Sequence, residues 1–184
     1  MILPIYIYGH PVLRKEAQDI DASYPNLKEL IENMYETMYN ADGVGLAAPQ
    51  VGLADRIFVI DLSPLADEES PQYEGLKKTF INARIISRTG DMVSTEEGCL
   101  SIPGINESVS RHDEIEIEYL DENLEPHTEI FTGFTARVIQ HEYDHIDGIL
   151  FVDHISAIRK RLIKAKLSNM LKGKVSCHYK VRTV

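Results

Sequence analysis

The sequence predicts an α+β fold, and three observations carry that expectation. Apolar residues recur at helical spacing in three separate segments, apolar and charged residues alternate strictly in another, and a short continuous apolar run stands apart from both. A run of strands with helices set between and after them builds this class. Residues 25–40 read as the first helix, because Leu27, Leu30, Ile31, Met34 and Met38 share one face and Gly43 lies just past the end. Residues 56–61 (RIFVID) read as a short apolar strand. Residues 63–78, rich in Pro, Asp, Glu and Ser, read as an exposed loop, and residues 79–87 as a strand. In residues 114–120, Ile115, Ile117 and Tyr119 point one way and Glu114, Glu116 and Glu118 the other, the pattern of a strand with one wet face. Residues 124–131 read as its partner. Residues 135–147 read as a second helix stopped near Gly148. Residues 156–171 read as a third, with Ile158, Leu162, Ala165 and either Leu167 or Met170 inward, and Gly173 closing it. Residues 175–184 read as a final strand or a loose tail.

The chain of 184 residues, 43% apolar and 26% charged, suits one globular domain spanning 1–184, with a basic helix and tail from about residue 154. Two cysteines cannot make a disulfide framework, which suits a reducing cytosol, so a cytoplasmic location is expected. No apolar run approaches the roughly 20 residues of a membrane span, and no secretory signal pattern is visible. No DNA or membrane partner is expected. The net charge of −10 is unevenly spread: nine of the 19 lysines and arginines, and none of the 29 acidic residues, lie after Asp153. Such a basic end either faces something anionic or is simply solvated.

The sharpest chemical signal is HEYDH, residues 141–145. Two histidines at i and i+4 stand one turn apart on one helix face, so both reach a single ion. Phe134 and Val138 continue that face and are expected to carry it into the core. Glu142, next round the helix, is placed to work on a metal-bound water without ligating, which is the position of a general base. Two ligands need a third. In the peptidase pattern HExxHxxGxxH the glycine matches Gly148 but the last position is Phe151, which cannot ligate. No acidic residue follows His154, which leaves His154, Cys177 and His178 downstream. Upstream, Cys99 in EEGCLSIPG (residues 96–104) lies where a strand ends among small residues, and Gly98 permits close backbone approach. A thiolate and two imidazoles leave a fourth position open for water. In GVGLAAPQVG, residues 43–52, Gly43 and Gly45 let backbone approach a ligand, and Gln50 offers a neutral amide donor. A dinucleotide loop is excluded there, because the segment follows a helix and Pro49 obstructs the helix that should open.

GVGLAAPQ (43–50), EGCLS (97–101) and QHEYDH (140–145), in this order, together with GHPVLRK (9–15), closely resemble the peptide deformylase family. The resemblance runs from about residue 3 to residue 165. It implies antiparallel sheets packed around a central metal-binding HExxH helix, with an N-terminal and a C-terminal helix. It implies removal of the formyl group from N-formylmethionyl nascent peptides, and one divalent ion per chain, commonly Fe²⁺, with Zn²⁺, Ni²⁺ or Co²⁺ also compatible with the ligand set. By motif position Cys99, His141 and His145 would be ligands, Glu142 the acid/base, and Gln50 with the Leu100 N–H the oxyanion donors. The peptide beyond methionine would pair as an added strand with backbone near Val44, Gly45 and Gly98. The basic helix is expected to dock on ribosomal RNA. An endopeptidase acting on internal bonds is the competing reading, and a metal or peptide binder without turnover a third.

Overall fold

The computed structural model describes residues 1–184. The elements in chain order are β1 (Ile5–Tyr6), α1 (Leu27–Asn40), β2 (Gly45–Ala47), β3 (Ile57–Asp61), β4 (Lys77–Cys99), β5 (Ile102–Leu120), β6 (Pro126–Thr132), α2 (Gly133–Ile146), α3 (Ala157–Leu171) and β7 (Val181–Arg182). Strands β2-β3-β4-β5-β6 form one antiparallel sheet in that order, while β1 and β7 pair in parallel as a second, two-stranded sheet.

The sheet lies between two helices, and β3 shows why its sequence is apolar throughout. All five of its residues are buried. Ile57 and Val59 pack with Ile31, Met34 and Met38 of α1, while Phe58 and Ile60 pack with Ala136, Ile139 and Ile146 of α2. A strand covered on both faces has no wet positions, so alternation disappears from its sequence. Ile115 and Ile117 of β5 and stacked Phe58 and Phe80 complete the floor beneath α2. The end of α2 is fixed by Gly148 (φ +73°), where a Cβ would lie 2.6 Å from the Arg14 carbonyl oxygen. Arg56, buried under this end, donates to Asp147 at 2.9 Å and to the Ala83 carbonyl at 3.0 Å.

Several expectations need correction. The strand expected over 79–87 continues to Cys99, and with β5 it makes a long hairpin closed by the two-residue turn Leu100–Ser101. Much of it from residue 88 to 96 is exposed on both faces, so no periodicity marks it. The segment 63–78 is not simply an exposed loop. It holds two short 3₁₀ turns, and Tyr73 and Leu76 pack on the core. Helix α3 docks through Ile163, Leu167 and Met170, against Leu150, Phe151 and Ile155. Ile158 and Leu162, expected inward, are 70% and 64% exposed, and Ala165 is exposed with them. The apolar residues of α3 are spread around its circumference, so spacing alone does not choose the docked face. Phe134, expected in the core, is 40% exposed and sits edge-on to Tyr73. The last segment is a strand only at Val181–Arg182.

Candidate metal centre

Three elements converge on one point. Helix α2, buried over nearly its whole circumference from Thr135 to Ile146, presents His141 and His145 one turn apart. The β4–β5 hairpin ends at Cys99, and the turn after β2 carries Gln50. The donor atoms of Cys99, His141 and His145 lie within 4.8 Å of one another. Cys99 Sγ is 3.3 Å from His145 Nε2, close to the ~3.5 Å between two donors that share a tetrahedral ion. His141 Nδ1 pairs with Glu97 Oε1 at 2.9 Å, which leaves its Nε2 for the ion. The donor set therefore fits one divalent cation. The downstream candidates do not join it: His154 Nε2 bonds Asp144 at 2.8 Å, His178 faces Asp42 on the surface, and Cys177 lines the rim of the cleft.

Glu142 is buried beside this cluster, and its Oε2 has no protein partner. Burial pushes its carboxyl up to about 7. The backbone of Gly45 runs so close that a Cβ there would lie 2.5 Å from Glu142 Oε1. Only glycine leaves room for the carboxylate at that position. Gln50 is held by its own turn: its Oε1 accepts from the Ala47 N–H at 2.9 Å. That bond aims Nε2 at Cys99 Sγ (3.5 Å) and Ser101 Oγ (3.2 Å), so the amide donor faces the cluster.

A buried ionic frame supports the ligands, and sequence reasoning missed it. Glu97 receives Arg111 Nε at 2.7 Å and Nη2 at 3.0 Å, and Arg137 Nη1 as well. Arg111 also donates to Asp144 at 2.9 Å. Burial alone would raise the Glu97 carboxyl, but hydrogen bonds from His141 and Arg111 outweigh it and hold the group down at about 2. Glu97 is therefore an anion that fixes the His141 tautomer. The available signal is an acidic residue two positions before the cysteine and, separately, Arg111 in phase with the inward Ile115 and Ile117 of β5.

A cleft of about 500 Å³ opens over the cluster, lined by Val44, Gly45, Gly98, Leu100, Val138 and Glu142, among others. Strand β2 is the outer strand of its sheet, and β4 near Gly98 pairs only with β5. Two strand edges thus border the cleft.

The polypeptide deformylase family model matches residues 2–161. The chain is 59% identical to the peptide deformylase of Christiangramia forsetii over 188 aligned positions, covering 99% of this chain and 96% of that protein. It is 55% identical to that of Flavobacterium johnsoniae, with the same coverage. Among solved structures, the peptide deformylase of Thermotoga maritima superposes with a TM-score of 0.76 at 40% identity, covering 85% of this chain and 99% of that one. Arabidopsis thaliana peptide deformylase 1B superposes with a TM-score of 0.83 at 34% identity, covering 93% and 91%. With a metal-fitting Cys/His/His cluster at the base of a cleft, and matches of this extent, the chain belongs to the polypeptide deformylase family.

Proposed function

We propose that Cys99, His141 and His145 hold the metal used in removing the N-formyl group from nascent N-formylmethionyl peptides, with Glu142 as the acid/base. The observation that carries this reading is the buried, unpartnered Glu142 Oε2 beside the three converging donors. When bound, a divalent cation lowers the pKa of a coordinated water toward ~7 and adds positive charge beside the developing oxyanion. Glu142 takes the proton of the attacking water and returns it to the leaving amine. Gln50 Nε2 and the Leu100 N–H donate to the oxyanion, and one such donor is worth about 3 kcal/mol of barrier. The amide of Gln50 brings no acidic proton that would quench the nucleophile. Fe²⁺ is the proposed physiological ion, with Zn²⁺, Ni²⁺ or Co²⁺ able to fill the same donors.

The substrate backbone is proposed to lie between the edges of β2 and β4, pairing near Val44, Gly45 and Gly98. Main-chain pairing is indifferent to side chains, which suits an enzyme acting on many nascent chains. The single domain 1–184 works in the cytoplasm, where such chains emerge and where a free thiol ligand stays reduced. Its basic helix α3 is proposed to touch the ribosome. In support, Lys160, Arg161, Lys164 and Lys166 are exposed, whereas Arg159 is engaged with Glu107 at 2.8 Å. The test is formate release from a formyl-Met tripeptide by anaerobically purified protein, beside acetylated and internal-bond substrates. Release of formate alone is expected. Cleavage of internal bonds instead would favour the endopeptidase reading.

A further inference from the structure

The C-terminal tail beyond α3 lies outside the residues matched by the family model, yet it reaches the cleft. After Gly173 (φ +73°) the chain turns back, and Ser176, Cys177 and Tyr179 form part of the cleft wall. The tail is then anchored by β7, whose backbone is bonded to β1: the Ile5 N–H donates to the Lys180 carbonyl and the Ile7 N–H to the Arg182 carbonyl, both at 2.9 Å. Between these anchors the Tyr179 hydroxyl donates to the Leu100 carbonyl at 2.7 Å. Tyr179 is half-buried, and burial raises its phenol well above the ordinary range, so it remains a donor at any working pH.

The turn it grips is the two-residue Leu100–Ser101 link directly after Cys99. Three independent bonds hold that turn. Gln50 Nε2 donates to Ser101 Oγ, the Tyr8 N–H donates to the Ser101 carbonyl at 2.8 Å, and Tyr179 takes the Leu100 carbonyl. The Cys99–Ile102 ladder pair closes the turn, and of the three further bonds Tyr179's is the one made to the Leu100 carbonyl. Tyr179 is the contact that fixes the peptide on the far side of Leu100, and so the orientation of the residue whose N–H faces the reacting carbonyl.

We propose that Tyr179 is a positioning residue for deformylation, acting from the tail through the Leu100 carbonyl. The inference rests on the proposed role of the Leu100 N–H. An interaction that matters only when charge develops lowers kcat and leaves KM in place. Tyr179→Phe keeps the ring and removes the donor. In metal-loaded full-length protein, with a formyl-Met tripeptide as substrate, its kcat is expected to fall about 10-fold while KM stays within about twofold, because part of one oxyanion donor is misplaced. Metal content and Tm are expected to match the parent chain. Lys180→Ala, exposed and next along the tail, is expected to keep the parental kcat. An unchanged kcat in Tyr179→Phe, a rise in KM alone, or an equal loss in Lys180→Ala would overturn the proposal. Gln50→Leu, run alongside, separates the two readings. Loss of kcat there with none in Tyr179→Phe removes the tail's role only, whereas full activity in both removes the oxyanion reading of this wall.

Discussion

Gly45→Ala displaces the proposed acid/base without replacing it. The backbone at Gly45 is not left-handed, so alanine fits the strand locally. Its Cβ, however, would stand 2.5 Å from Glu142 Oε1, 2.8 Å from Cγ and 2.9 Å from Cδ, against 3.4 Å for an ordinary contact. The carboxylate must retreat by about 0.9 Å, toward the cleft it lines, since a single methyl cannot move. A displacement of about 1 Å in a reacting group costs on the order of 100-fold in rate, or about 2.7 kcal/mol of barrier. The variant is therefore expected to bind one metal per chain and to lose kcat by about 30- to 100-fold in formate release from a formyl-Met tripeptide. A kcat within about threefold of the parent, with full metal, would refute the claim that Glu142 works from this position.

Glu142→Gln removes the proton carrier while leaving every ligand, so metal analysis should be unchanged while turnover falls by about 10²- to 10⁴-fold. The Glu97 carboxyl sits at about 2 when folded and 4.5 when free, so the unfolded chain binds more protons between those values. Stability of the metal-free protein should then be intact above about pH 4.5 and decline toward pH 2, by on the order of 3 kcal/mol from this group. A Glu97→Gln chain should show a lower Tm at neutral pH and a shallower acid limb in scanning calorimetry, and parallel curves would contradict this. Reversing Lys160 and Lys164 to Glu should weaken ribosome co-sedimentation and flatten its salt dependence, with deformylation of free peptides unchanged. Arg159 is unsuitable for that test, because its reversal would face Glu107.

How much of this was legible in the sequence depended on whether one physical rule governed each residue. The three helices and the β3 and β5 cores follow from burial, which imposes period or continuity on the apolar positions. The proposed ligands were legible because two histidines one turn apart on a helix reach a single ion, and the family resemblance of the segment around Cys99 assigns the third donor. The outer half of the β4–β5 hairpin was not legible: its backbone is held by pairing with a neighbour, and its exposed side chains are under no packing constraint. The docked face of α3 is not legible for a related reason. Ile158 and Leu162 are as well spaced as Ile163 and Met170, and only the position of Leu150, Phe151 and Ile155 decides between them. Glu97 comes from β4, Arg111 from β5, and Arg137 and Asp144 from two turns of α2, so no local pattern links them. Tyr179 is beyond sequence reasoning altogether, since its partner is a backbone carbonyl 79 residues away.

X-ray absorption at the metal edge of anaerobically purified protein reads the ligand shell directly. One sulfur at about 2.3 Å and two imidazole nitrogens at about 2.0–2.1 Å are expected, with the sulfur absent from Cys99→Ser. A shell of nitrogen and oxygen alone in the parent chain, or a sulfur signal that survives Cys99→Ser, would contradict this ligand set.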